Sequence, residues 1–134
     1  MKFSDKIDDL KSSTFIQENC PEDLSLKQEI ISRIEKTVSK DTIISSSTSS
    51  FMASELQNGC TNPERIIVGH PMNPPHLIPV VEIVLGKAFS QEISSRAKCF
   101  YNSLQRVAVH VKKEMRGHLA NRLTSALYLS LIHI

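Results

Sequence analysis

The chain is 134 residues long, with 40% hydrophobic and 22% charged residues, ordinary globular proportions that exclude disorder along its whole length, a collagen repeat or a coiled coil. Sixteen Lys+Arg against fourteen Asp+Glu leave a net charge of +2, too weak a field to argue for nucleic acid or an anionic membrane as partner. Cys20, Cys60 and Cys99 form no CxxC pair, so a reducing, cytoplasmic setting is expected.

No stretch approaches the ~18 apolar residues of a membrane span. The N-terminus MKFSDKIDDLK lacks the apolar core of a signal peptide. Phe3, Ile7 and Leu10 have helical spacing. Thr14–Gln17 is short, β-branched and aromatic, and reads as a first strand. Pro21 suits a first helical turn, where Glu22 and Asp23 would meet the positive end of the dipole. Leu26, Ile30, Ile34 and Val38 recur every four residues and predict a helix to Val38.

Thr42–Ser45 reads as a second strand running into a Ser/Thr cluster, Ser45 to Ser50. A low-complexity linker is open there, but the flanking apolar runs favour a strand end and loop. Ser54 to Gln57 are weakly helical and Asn58-Gly59 stops them. Arg65–Gly69 is a third strand. His70 to Pro79 carries four prolines and is expected to be irregular. Ile78–Val84 is almost continuously apolar, as in a strand buried on both faces. Ser90 can cap a helix to about Leu104. Arg106–Val111 alternates, placing Val107, Val109 and Val111 on one face. Gly117–Ile134 reads as a last helix, whose Leu119, Leu123, Ala126 and Leu127 meet no later element. Alternating strands and helices argue for an α/β fold with a mostly parallel sheet on the early strands.

The densest chemical signal is Gly69-His70-Pro71-Met72-Asn73-Pro74-Pro75-His76, followed by Glu82. A histidine just past a buried strand sits at the edge where open α/β sheets bind ligands. Glu82 interrupts an apolar strand, and a buried carboxylate is costly unless paired. A His70–Glu82 pair answers that cost and would fix the imidazole tautomer. His70, His76, His110, His118 and Cys60 show no HxxxH or CxxC spacing, so no metal site is expected. Ser45–Ser50 contain no GxSxG elbow, and no GxGxxG or Walker turn occurs anywhere. His110 reads as a solvated strand residue and His118 as a bystander.

Five segments in register carry a family resemblance. They are Phe15–Leu24 (FIQENCPEDL), the Ser-Ser-Ser-Thr-Ser-Ser run, Val68–Pro75 (VGHPMNPP), Pro79–Glu82 (PVVE) and Asn121–Leu123 (NRL). Together they resemble the 3-hydroxyacyl-CoA dehydrogenase superfamily, nearest its L-gulonate 3-dehydrogenase (lambda-crystallin) and carnitine 3-dehydrogenase branch. The resemblance covers roughly residues 3 to 125.

The resemblance implies NAD-dependent oxidation of a 3-hydroxy acyl or 3-hydroxy acid substrate to the 3-oxo product. His70 matches the catalytic base and Glu82 the acid that orients it. Asn121 and Ser49 match residues that hydrogen-bond the reacting oxygen. On the cofactor side, Glu18 matches a residue near the nicotinamide ribose, and Asn73 a supporting polar residue beside the histidine. The family's glycine-rich phosphate turn has no match here, so the 134 residues alone are expected to bind NAD weakly and to be inactive.

The implied layout is the second half of a Rossmann-type NAD-binding domain over residues 1–116. Residues 117–129 would begin an all-α C-terminal domain, and 130–134 read as a non-native tail. The implied partners are a small 3-hydroxy substrate and a second copy of a full-length parent, with no nucleic acid or membrane. The competing reading is a non-enzymatic structural or interaction protein on the same scaffold, as in a crystallin.

Overall fold

The computed structural model describes residues 3–133. Five strands form one sheet in the order β1-β2-β3-β4-β5: β1 (Phe15–Glu18), β2 (Ile43–Ser46), β3 (Ile66–Pro71), β4 (Val80–Val84) and β5 (Val107–Val111). β1, β2 and β3 are parallel, β4 pairs antiparallel with β3, and β5 runs parallel to β4. The expected α/β class and mostly parallel early sheet are therefore present. The Rossmann-like layer order follows from the connections, since α1 (Leu24–Thr37) and α2 (Ala53–Leu56) follow β1 and β2, and α3 (Gln91–Ser103) joins β4 to β5.

Successive strand residues point to opposite faces, and the core divides accordingly. Ile16, Ile44, Ile66, Val68 and Val84 pack with Ile31 and Ile34 of α1 and Leu56 of α2. Ile43, Ile67, Val81 and Ile83 pack with Ile93, Ala97 and Tyr101 of α3. Both faces of β2, β3 and β4 are covered, which is why these strands read as apolar runs.

Several boundaries differ from the sequence reading. α1 begins at Leu24 rather than Pro21, because the Asp23 carboxylate accepts the Leu26 amide at 2.8 Å and so takes the cap position. Pro21 and Glu22 therefore lie before the helix. β3 continues through His70 and Pro71, since both have ladder partners in β4; a proline at a strand end forfeits little pairing. The valine face of β5 is buried only at Val111. Val107 and Val109 are exposed because β5 is the sheet edge and no helix covers that stretch. At the N-terminus a 3-10 turn, Ile7–Leu10, sets Ile7 and Leu10 against the core while Phe3 stays exposed.

The last helix, α4 (Ala120–Ile132), buries none of its residues, and Leu123, Leu127, Leu129 and Leu131 are exposed. Residues 130–132, read as part of a non-native tail, continue this helix, and Ile134 lies outside the described residues. Among the described residues no helix is long and apolar enough to cross a membrane.

Candidate active site

Glu18 of β1, Ser46 of β2, Val68 and His70 of β3 and Glu82 of β4 project from the face shared with Ile16 and Ile44, by strand alternation. All five positions lie at the carboxyl ends of β1–β3 or directly opposite them. His70 and Glu82 are register partners across the antiparallel pair, so their side chains meet without any loop having to close. The expected pair is present: His70 Nδ1 lies 2.9 Å from Glu82 Oε2, and both side chains are buried. The distinction from the sequence reading is that His70 is held by a strand ladder and not by the proline-rich loop.

Burial raises the Glu82 pKa, but hydrogen bonds from His70 and the Ala120 and Leu119 amides outweigh it and hold the carboxyl below its ordinary range. An ionised carboxylate can only accept. Nδ1 of His70 therefore carries the hydrogen, and in the neutral ring Nε2 holds the lone pair. Nε2 makes no hydrogen bond among the described residues. A neutral nitrogen with its tautomer fixed from behind is the form a general base takes.

Glu82 also fixes the start of the last helix. Its Oε1 accepts the Leu119 amide at 2.9 Å and the Ala120 amide at 3.0 Å. A negative charge at that end suits the α4 dipole. One carboxylate thus orients the imidazole and docks the next segment beside it.

His118 is not a bystander. It is fully buried, and its ring centroid is 5.2 Å from that of His70. Its Nε2–H donates to the Thr48 carbonyl at 2.9 Å, while Nδ1 is buried without a partner among the described residues. Burial pushes the His118 pKa down, and neighbouring His70 adds to this against the opposing pull of the Thr48 bond. The ring is held neutral. Gly117 and His118 both have positive φ, 74° and 50°, and this left-handed pair turns the chain from β5 towards α4. Nothing in hydropathy or spacing marks His118, and only the adjoining Gly117 hinted at an unusual backbone.

Asn121 and Ser49 are brought together, with Asn121 Nδ2 donating to the Ser49 carbonyl at 3.2 Å. Asn73 stands exposed on the loop after β3 and makes no hydrogen bond among the described residues. His76 is exposed as well, whereas Met72 lines an apolar groove with Val109, Leu119 and Leu123. Glu18 is buried and committed: its carboxylate binds Lys27 Nζ at 3.0 Å and 3.2 Å, and it accepts from Ser46 Oγ and the Cys20 amide. The sequence reading missed Lys27, because on the helix pattern it is simply a charged residue.

The donor set fits the reacting end of a dinucleotide and not its phosphates. His70 and Glu82 offer a base beside the strand ends. The N-terminus of α1, where a pyrophosphate would need free amides, is already capped by Asp23, and that of α3 by Ser90.

Comparison with known proteins places the chain among NAD-binding dehydrogenase domains. The family model described as 3-hydroxyacyl-CoA dehydrogenase, NAD binding domain, matches residues 1–115. L-carnitine dehydrogenase of Oceanobacillus iheyensis is 41% identical over 100% of this chain and 44% of its own length. L-carnitine dehydrogenase of Pseudomonas putida is 42% identical over 100% of this chain and 42% of its own. Among solved structures, a 5-formyl-3-hydroxy-2-methylpyridine 4-carboxylic acid 5-dehydrogenase, described as an NAD+-dependent dismutase, superposes with TM-score 0.93 at 31% identity, covering 98% of this chain and 43% of that one. FadB2 of M. tuberculosis superposes with TM-score 0.91 at 26% identity, covering 98% and 46%. The chain thus spans less than half the length of these relatives.

Proposed function

This chain belongs to the 3-hydroxyacyl-CoA dehydrogenase family, and from that premise we propose that it provides the proton-handling part of an NAD-dependent dehydrogenase acting on a 3-hydroxy acid. The buried His70–Glu82 pair carries the reading. Its substrate side is supported by the identity with proteins named L-carnitine dehydrogenase, carnitine being a 3-hydroxy acid.

In the oxidation, His70 Nε2 takes the proton of the substrate hydroxyl as the C–H bond breaks. The bound nicotinamide supplies the hydride acceptor. The Glu82 carboxylate stabilises the imidazolium that results, through the Nδ1–H bond it already makes. Ser49 and Asn121 stand by the reacting oxygen, and neutral donors suit the charge developing there. Glu18, held on Lys27, faces the nicotinamide side, and Asn73 keeps a supporting place beside the histidine loop. The whole protein is proposed to act as a homodimer in the cytoplasm, a setting that suits three free cysteines. Residues 117–129, whose apolar side chains are exposed here, begin its helical domain.

The test is His70→Gln in the full-length protein, with L-carnitine and NAD as substrates. Loss of the base should lower kcat by about 10³-fold, within the usual range for general base catalysis, with NAD affinity unchanged. An unchanged kcat would remove His70 as the base, and no NAD-dependent turnover by the unsubstituted full-length protein would leave the non-enzymatic reading.

A further inference from the structure

The helix-dipole role expected of Glu22 is not what the structure gives it. Glu22 lies ahead of α1, and its Oε1 alone accepts from Thr48 Oγ1, from the Ser49 amide at 3.1 Å, from the Ser50 amide at 3.0 Å and from Ser50 Oγ at 2.7 Å. Its other oxygen lies 3.5 Å from Lys27 Nζ. Burial raises the Glu22 pKa, but the bonds from Thr48 and Ser50, with Lys27 behind them, hold it below the ordinary carboxylate range.

The serine-rich loop takes its shape locally. Thr48 Oγ1 accepts the Ser50 and Phe51 amides, and Ser46 Oγ accepts the Thr48 amide. Such turns fix a loop's form but not its place. Its place is set from two sides. Glu22 grips it from the β1–α1 connection, and on the other side the Thr48 and Ser49 carbonyls receive His118 and Asn121. Those two flank the docking point of α4 on Glu82, and the His118 ring borders His70.

We infer that Glu22 is a positioning residue for the reaction, holding the loop Thr48–Ser50 where Ser49, His118 and Asn121 meet the His70–Glu82 pair. The inference rests on the dehydrogenase reading above. Glu22 touches neither substrate nor cofactor, and it acts through the loop. The four donors converge on one oxygen, so acceptance at that atom, rather than the full charge, does the positioning. A glutamine there keeps an accepting oxygen and loses the attraction to Lys27.

The experiment uses Glu22→Ala and Glu22→Gln in the full-length protein, with hydrogen exchange at the loop and steady-state kinetics on each. Glu22→Ala should speed exchange at the Ser49 and Ser50 amides by about tenfold or more, the loss expected for charge-assisted bonds, while β2 and β3 core amides stay protected. In the same variant kcat should fall by about tenfold, with KM for NAD within about twofold. Glu22→Gln should restore both kcat and loop protection to within about threefold of the parent. A kcat unmoved in Glu22→Ala despite faster loop exchange would overturn the inference, and so would a Gln variant as slow as Ala. Should Glu22→Ala not fold, the Gln variant decides alone, since a tenfold kcat loss there contradicts acceptance as the cause. Absence of NAD-dependent turnover in the unsubstituted full-length protein would instead remove the dehydrogenase reading, and the loop-exchange result would be unaffected.

Discussion

The two ends of the sheet both bury charge, and they use it differently. At the amino ends of the parallel strands, Arg65 precedes β3 and is 1% exposed. Its guanidinium donates to the Ser39, Thr42 and Glu35 carbonyls and lies 3.6 Å from the Glu35 carboxylate. That carboxylate in turn accepts the Thr61 and Asn62 amides at 2.8 Å and 2.6 Å. Backbone fills nearly every position, so the cluster ties α1, β2 and β3 together and presents nothing to a ligand. At the opposite end the buried charge is the Glu82 carboxylate, paired with the His70 imidazole, whose Nε2 makes no hydrogen bond among the described residues. A permanent charge held by three carbonyls stabilises a fold. A titratable ring held from one side is ready for chemistry.

The contrast breaks most sharply at Arg65. Replacing it with Met should destabilise the protein by about 3–5 kcal/mol, because Glu35 is then buried without its counter-ion, yet leave kcat of the folded fraction unchanged. Urea unfolding with parallel kinetics reads both, and a kcat loss at full folding would erase the distinction between the ends.

A smaller effect is expected on the α3 face of the sheet, near the carboxyl ends of β1–β3. The Tyr101 hydroxyl sits between Ser45 Oγ, at 2.8 Å, and Gln17, and burial pushes its pKa up to about 12. A Cβ at Gly69 would fall 2.0 Å from that hydroxyl, so glycine is needed here for room. Gly69→Ala should cost about 1–3 kcal/mol by overpacking, and adding Tyr101→Phe should return part of it. Thermal unfolding of the single and double variants checks this; equal loss in both would point to a cause other than the hydroxyl.

The gentlest test is acid. Glu35 and Glu82 are both held below their ordinary value of 4.5 in the folded chain, burial opposing and hydrogen bonds prevailing. A depressed folded pKa gives stability that is fully present above the unfolded value and is lost as pH falls through the folded one. On top of the decline that His118, held neutral by burial, begins below its ordinary value of 6.5, folding stability should therefore decline through these two carboxylates below about pH 4.5. Arg65→Met should flatten that decline through Glu35, whereas His70→Gln should flatten it through Glu82. Urea midpoints across that range measure it, and an undiminished decline in both variants would contradict the assignment.

Much of the fold was legible because it rests on local pattern. The apolar runs at Ile43–Ile44, Ile66–Val68 and Val80–Val84 gave strands, and the four-residue spacing from Leu26 gave α1. His70 and Glu82 could be paired in advance because a carboxylate in an apolar strand needs a partner and His70 stands at the end of the preceding apolar strand. The helix start at Leu24 was misplaced because Pro21 and Asp23 both suit a first turn. Only the hydrogen bond from the Leu26 amide to Asp23 decides between them.

By itself, the sequence determined the α/β class, the pairing of His70 with Glu82 and the family. These depend on residue type and short-range spacing. The tertiary structure alone decided what Glu22, Lys27 and His118 do. Glu22 acts on residues 26–28 positions ahead and His118 on a carbonyl 70 positions behind, while Lys27 reaches back across the β1–α1 connection to Glu18. A side chain's charge is written in the sequence, but the partner that gives the charge its purpose is chosen by the chain's path through space.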